Sequence, residues 1–487
     1  MRGQRMQGLG TVVYALGWQL VVFALAMLVP LGLDFAVGSA DWQAFAASAA
    51  ISLFLGGSLL LAARGRRHEL PLRAAFLLTV ASWVVISVVG SLPLQFGSYR
   101  LSLTDAIFET VSGLTTTGAT VVVGLDQAPP GFLLWRALLH WIGGIGIVVM
   151  ALVLLPFLRI GGMQLFRSES SDRAEKVLPT TAGFVARLLF IYIVLTALLT
   201  TGLMLCGLSF FDSLSHAFAA VATGGFSTRD ASIGAFREPA VEVVLIFGML
   251  AACLPYSRYV ALTVGRPGLL VRDSQVRWFL FMVAAATAFL ALWLVLERGR
   301  EPLSALRAAA FAVTSIVTTT GFVAEDWSAW SANLLPFFLI LTVVGGCTGS
   351  TAGGIKIFRF EILSRSLLHH LARLASPRRI IPLVYDGRLV EAEVVRAVAG
   401  FVFVFALSWG VFAILLGLCG LDVLTALSAA ATALANVGPG LGDIVGPAGN
   451  YRPLSDTAKW ILIFAMLLGR LEFFTVLVLL HPRFWKW

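Results

Sequence analysis

The sequence predicts an all-α integral membrane protein of about ten spans, in which four pseudosymmetric units of span, half-helix and span follow two leading helices. Three observations carry this expectation. Of 487 residues, 59% are hydrophobic and only 13% charged, a balance that removes the soluble classes. Apolar stretches long enough to cross a bilayer recur near 11–33, 42–63, 73–94, 132–157, 183–207, 239–260, 277–296, 334–358, 394–418 and 457–480. Four glycine-ended breaks interrupt this background at one spacing.

The breaks read Leu114-TTT-Gly118, Val221-ATG-Gly225, Val317-TTT-Gly321 and Leu434-ANV-Gly438. Before each lies a helix-like stretch too short to cross a bilayer: 104–114, 212–221, 303–317 and 422–434. Each fits a re-entrant half-helix between two full spans. Close helix packing explains a single run of small residues, but it does not explain four in register. The expected units are 1–70 (two leading helices), 71–163, 164–265, 266–363, a cytoplasmic linker 364–393, and 394–487.

Charge placement orients the chain. The formal charge is +9, yet Arg and Lys collect in alternate loops rather than on one soluble surface, which points to membrane lipid and away from nucleic acid. The clusters are Arg2 and Arg5; Arg64, Arg66, Arg67 and Arg73; Arg159, Arg167, Arg173, Lys176 and Arg187; Arg266, Arg272 and Arg277; the 356–396 segment; and Arg483 with Lys486. The positive-inside rule puts them all in the cytoplasm, and both termini with them. The first apolar run reads as a retained span. Cys206, Cys253, Cys347 and Cys419 have no metal or disulfide spacing and read as buried packing thiols. The six histidines show no metal motif, and His140 is expected to pack against a neighbouring unit.

Non-helical backbone at membrane depth leaves carbonyls unpaired, and it persists only if buried in protein or lining a watery cavity. A cation can supply the missing partner. Four extended segments around one axis would offer rings of oxygens in place of the hydration shell of a potassium-sized ion. Gly lets each strand reach dihedrals closed to a Cβ, and Thr adds a hydroxyl. The expected ion-binding residues are Thr116, Thr117 and Gly118; Thr223, Gly224 and Gly225; Thr319, Thr320 and Gly321; and Asn436, Val437 and Gly438.

These residues, together with "GGFSTRDASIG" at 224–234, "GGCTGSTAGGIK" at 345–356, "NVGPGLG" at 436–442 and "GRLEFFTVLVLL" at 469–480, resemble the potassium-translocating membrane subunits of the Trk/Ktr/HKT superfamily, specifically the Trk H-type. The match runs over nearly the whole chain, and the two leading spans fit the H-type form. The resemblance implies a potassium-channel-like fold, in which the half-helices are pore helices. It implies potassium as the transported ion, no cofactor on this chain and no enzymatic activity. It also implies a homodimer in the bacterial inner membrane, one pore per protomer, controlled by a cytosolic ring of nucleotide-binding Trk A-type subunits.

The glycines of 345–354 each cost a helix about 1 kcal/mol, so an unwound loop is expected there, with a kinked helix as the alternative. The resemblance makes this loop the gate, formed by Gly345, Gly346, Thr348, Gly349, Ser350, Thr351, Gly353 and Gly354. Arg470, a charge inside the last span, should face the pore or this loop, and the resemblance places it just under the filter. Glu472 is poorly spaced to pair with Arg470, and Lys356 is expected to snorkel to the cytoplasmic interface. Asp212 and Asp422 read as N-caps. Asp105 and Glu109 fit either capping or attraction of cations to the outer mouth. The basic 364–393 segment fits either anchoring by charge or docking of the regulatory ring; Ser376 stands where the family usually has His before Pro377. Competing functions are a less selective sodium and potassium permease, a lipid-modifying enzyme using His140, His216 or Asp105, and an organic-solute carrier, which would instead show two inverted repeats.

Overall fold

The computed structural model describes residues 2–64, 71–154, 181–376, 382–386 and 388–485. Arg66, Arg67, Arg159, Arg167, Arg173, Lys176, Pro377, Arg378, Arg379 and Lys486 lie outside the described residues. Among those described, the structure is helical apart from one antiparallel hairpin, Val384–Tyr385 with Arg388–Leu389. Among the described residues, seven helices are long and apolar enough to cross a membrane, and nine if each of two bent pairs is one span. Large side chains such as Phe54, Phe281 and Leu418 project outward, as a bilayer-facing surface requires.

The leading helices Arg2–Val37 and Trp42–Ala62 cross where Gly17 meets Gly56. A Cβ on Gly56 would lie 2.9 Å from the Gly17 carbonyl oxygen, so the backbones touch as small residues in membrane helices permit. Asp34 then accepts the Gly131 N–H at 2.7 Å, which fixes this pair against the first unit.

Each unit runs out along one span and turns into a half-helix: Leu103–Leu114, Phe210–Val221, Pro302–Val317 and Val423–Ala435. Their starts are capped by Ser102, Ser209, Glu301 and Asp422. The expected cap at Asp422 is present. Asp212 is not a cap: Ser209 has that place, and Asp212 sits three residues on, where its Oδ2 accepts the Ser209 hydroxyl. Asp105 holds the matching position in the first unit.

The first, second and fourth return spans depart from the expected continuous helices, and the third is interrupted by the loop expected at 345–354. The second bends by 89° between Pro239–Ala252 and Tyr256–Thr263, and the fourth by 113° between Asp456–Arg470 and Phe474–Leu480. Pro255 explains the second break, because its ring and missing N–H cannot continue a helix. In the fourth, Glu472 and Phe473 take positive φ of 58° and 39°. The first, Pro130–Val149, runs into a π-turn at Met150–Leu154, and the third stops after Leu335–Val344, resuming at Ile357–Ala375. All four return spans therefore lose regular α-helix after their first part.

Ion pairs and core close the units into a ring. Glu242 on the second return span meets Arg307 on the third half-helix at 3.3 Å, and Lys459 on the fourth return span meets Asp105 on the first half-helix at 2.7 Å. The largest apolar cluster sets Phe108 and Val111 of the first unit beside Ala429, Ala433 and Met466 of the fourth. Of the thiols, Cys253 and Cys347 are buried, whereas Cys206 and Cys419 are partly exposed, against expectation.

The glycine crossing yields a direct check. Gly56→Ile should cost about 1–3 kcal/mol through overpacking and lower the melting temperature of the detergent-solubilised protein. Gly57→Ile, where a Cβ would meet nothing within 4 Å, should leave it within the ~0.5 kcal/mol typical of surface changes.

Candidate functional site

The four half-helices end alike. The residue just before each in-register glycine donates its N–H five residues back: Thr117 to Ser112, Gly224 to Ala219, Thr320 to Ser315 and Val437 to Thr432, at 2.8–3.0 Å. This bond and a preceding left-handed residue define a Schellman stop. The left-handed residue is Thr116, Thr223, Thr319 or Asn436, with φ of 52–57°. Two residues later Gly118, Gly225, Gly321 and Gly438 are left-handed again, at 82°, 81°, 76° and 102°. A β-branched residue rarely takes that first conformation, which costs of order 1–3 kcal/mol.

The ribbons that follow these stops close on one another in chain order. A Cβ on Gly118 would strike the Gly224 carbonyl, one on Gly225 the Thr320 carbonyl, one on Gly321 the Val437 carbonyl, and one on Gly438 the Thr117 carbonyl. All twelve expected ion-binding residues are thus brought together in one fourfold ring. The four glycines line a single cavity of about 80 Å³ with Arg136, Asp230 and Tyr451. Eleven of the twelve ribbon carbonyls, all but that of Gly438, receive no hydrogen bond from any described residue. Gly438 O accepts the Tyr451 hydroxyl at 2.8 Å.

Buried polar groups brace the ring from behind. His140 Nδ1 donates to Gly113 O at 2.7 Å while Nε2 accepts the Phe226 N–H at 3.1 Å, so a neutral imidazole joins the first unit to the second, the neighbour contact expected. Glu109 and Arg136, both buried, pair at 2.8 Å. Glu109 also accepts the Val121 N–H, and Arg136 reaches Ser227 O at 3.0 Å. Glu109 is therefore a brace, and Asp105, bound to Lys459, a tie between units. His216 bonds Asp212 O and the Ser227 hydroxyl. Burial would raise the Asp212 carboxyl, but hydrogen bonds from Thr228 and Ser209 and the charge of Arg229 outweigh it and hold it below the usual carboxylate range. Nothing in the local sequence marked Arg136 or Tyr451, whose partners lie in other segments.

Residues 345–356 form an irregular loop against the half-helix ends, opposite the cavity, as expected for this glycine-rich run. Gly353 N–H donates to the Thr319 hydroxyl at 2.8 Å, and a Cβ there would strike the Ala435 carbonyl. The Thr351 hydroxyl donates to Val221 O or Ala252 O, and Thr351 O accepts Arg470 Nη2 at 2.7 Å. Arg470 therefore faces the loop, with Nε and Nη1 unpartnered among the described residues. Glu472 does not pair with Arg470; it binds Lys356 and Arg359. Lys356 is thus buried in an ion pair rather than snorkelling, because Glu472 supplies a counter-charge from 116 positions downstream, 472 minus 356. Among the described residues, no three His, Cys, Asp or Glu side chains group to hold a metal.

A family model described as TrkH, cation transport protein, matches residues 41–486. The Trk system potassium uptake protein TrkI of Halomonas elongata is 43% identical over 467 residues, covering 96% of this chain and 95% of that protein. Trk system potassium uptake protein TrkH of Escherichia coli K12 is 36% identical over 96% of this chain and 98% of its own length. The crystal structure of the potassium transporter TrkH from Vibrio parahaemolyticus superposes with a TM-score of 0.90 at 36% identity, covering 98% of this chain and 99% of that one. With its four-unit membrane fold and a match across almost its full length, the chain belongs to the TrkH family of cation transport proteins.

Proposed function

We propose that this protein carries potassium into a bacterium across the inner membrane, through the ring of four ribbons. The observation that carries the reading is the set of eleven ribbon carbonyls, nine of them on buried residues, without a hydrogen-bond donor among the described residues. Such oxygens are costly unless something satisfies them, and a dehydrated alkali cation is the partner that matches several converging oxygens at once. The half-helix C-termini, each with a partial negative charge, end at the same ring and favour a cation there. Relatives named as potassium uptake proteins support potassium as the ion.

The 345–354 loop and Arg470 act as the gate in this reading: the loop lies against the ribbon starts, and the guanidinium adds a positive charge beside the path. Both termini face the cytoplasm, by the placement of basic loops. Two copies assemble, and a cytosolic nucleotide-binding ring docks on the linker that follows the loop. The fourth ribbon, with Asn436 and Val437 for threonines and Gly438 O engaged by Tyr451, makes the ring uneven. That unevenness favours a second reading, a less selective permease passing sodium as well.

Flux of potassium and sodium into proteoliposomes tests both readings. Gly118→Ser and Gly438→Ser each drive a Cβ toward a ribbon carbonyl. They should lower potassium flux by about tenfold or more, equivalent to ~1.4 kcal/mol, and lower the potassium to sodium ratio. Gly400→Ser, in open space, is the control and should match the parent. Parental rate and ratio in both filter variants would refute the ring as the path.

Arg470→Ala should raise flux. At an effective dielectric of about 20, a unit charge ~10 Å from an ion costs it ~1.7 kcal/mol, roughly twentyfold in rate. Unchanged or reduced flux in a variant that elutes like the parent would remove Arg470 from the gate.

A further inference from the structure

Three backbone contacts pin the middle of the 345–356 loop, and they come from segments that meet at one ion pair. Cys347 N–H donates to Cys253 O at 3.2 Å, Thr348 N–H donates to Gln275 Oε1 at 2.9 Å, and Gly349 O accepts the Tyr256 N–H at 2.9 Å. Tyr256 opens the helix Tyr256–Thr263, and Gln275 is the second residue of the span Ser274–Arg298. Gln275 is buried, and its side-chain oxygen serves the loop rather than its own helix.

Arg258, the third residue of the first of these helices, places Nε 2.6 Å from Asp273 Oδ2. Asp273 is the N-cap of the second: its Oδ1 accepts the N–H groups of Gln275 and Val276 at 2.9 and 3.3 Å. One carboxylate thus orients the start of the helix that carries Gln275 and ties it to the helix that begins with Tyr256. Arg258 Nη2 also reaches Asp386 Oδ2, at 3.4 Å, on the turn of the cytoplasmic hairpin. A second tie runs parallel, since Arg365 donates to Val384 O at 3.0 Å and binds Glu361, which accepts the Ser274 hydroxyl.

We infer that Gln275, Arg258 and Asp273 are positioning residues that hold the loop's 347–349 stretch in its closed place, and that the Asp386 turn is the point from which the cytoplasmic side releases them. The inference rests on the gate reading above. The strengths of the contacts suit this division. The Arg258–Asp273 pair is short and almost wholly buried, so it transmits position, as a buried charge pair is costly to break. The Arg258–Asp386 contact is longer and a third exposed on its acidic side, so it is weak enough to be exchanged by a docking partner.

The test uses the full chain in proteoliposomes with no cytosolic partner. Gln275→Met removes the acceptor for Thr348 N–H; it should raise basal potassium flux about fivefold, the shift expected from one lost neutral hydrogen bond, without changing the potassium to sodium ratio. Asp386→Asn should raise flux by a smaller factor, and Asp386→Glu should return it to the parental rate. If Arg470→Ala raises flux while Gln275→Met and Asp386→Asn do not, the positioning role is wrong and the gate reading stands. If none of the three raises flux, both fall. A fall in the potassium to sodium ratio with Gln275→Met would mean damage to the ring and also overturn the inference. A second readout is independent of flux. With Cys206→Ala, Cys253→Ala and Cys419→Ala in place, Cys347, now fully buried, should react faster with a small methanethiosulfonate reagent when Gln275→Met is added. An unchanged labelling rate overturns the proposal.

Discussion

Buried carbonyl oxygens with no donor are the constraint on which this protein is organised. Leaving one such group unpaired costs about 1–3 kcal/mol, and nine on buried residues stand together in the ring, with those of half-buried Gly118 and Gly225 beside them. A lone chain would relieve that cost by continuing each half-helix. Here the Schellman stops forbid it: they spend the last N–H groups of each half-helix on its own carbonyls and turn the chain through a left-handed residue. The glycine two positions on turns it again, and its missing Cβ is filled by the neighbouring ribbon's carbonyl. Local backbone geometry and the contact between units are therefore one requirement, which is why the spacing from stop to glycine is identical in all four units.

The strain in this arrangement sits on threonine. Thr116, Thr223 and Thr319 are left-handed although glycine would be easier there. Their neighbours show what a side chain adds. Thr115 and Thr117 hydroxyls meet at 2.7 Å, and Thr318 and Thr320 at 2.8 Å, in matching positions of the first and third units. Thr319 itself accepts the Gly353 N–H. A glycine at 319 would relax the ribbon and lose the only ribbon side chain that bonds this loop among the described residues. In the fourth unit Asn436 takes the strained place with less cost, since Asn tolerates the left-handed region, and its amide bonds Thr117 of the first ribbon.

Much of this was legible in the sequence, and the misses have definite causes. The outbound spans, the half-helices and the four breaks follow from apolar run length and from glycine in register, both local signals. The loop at 345–356 was visible for the same reason. The bend at 253–255 carried a signal, Pro255, hidden inside a long apolar run. The bend at 471–473 carried none: no glycine or proline stands there, and its left-handed Glu472 is held by Lys356 and Arg359 from the third unit. The same distant pairing reversed the expectation for Lys356. Ser209 displaced Asp212 as a cap because serine at the position before the helix bonds its third N–H, while the acid one turn later is better placed to receive the serine hydroxyl. Arg136 acts across units, and Tyr451 and Gln275 reach 13 and 73 residues along the chain, so no short window of sequence around them could announce it.

Building fourfold symmetry from one chain matters most on the side of the ring opposite the cavity. In the ribbons the four units obey one geometry, because every carbonyl must meet the same neighbour. Past that point the return spans diverge: a π-turn, a proline bend, a twelve-residue loop from 345 to 356, and a bend set by buried charges. Among the described residues, only one carries such a loop and only one carries an arginine at its break. Four identical subunits could not do this, since whatever one placed there, all four would place there. At the ~1.7 kcal/mol per charge used above for a cation ~10 Å away, a ring of four guanidinium groups would oppose the ion by about 7 kcal/mol and shut the path permanently. In the gate reading proposed above, a single guanidinium, bonded to a loop that is itself held by a few contacts, would raise a barrier small enough to be lifted. In that reading the asymmetry of the chain is what would allow a symmetric ring to be controlled from one side.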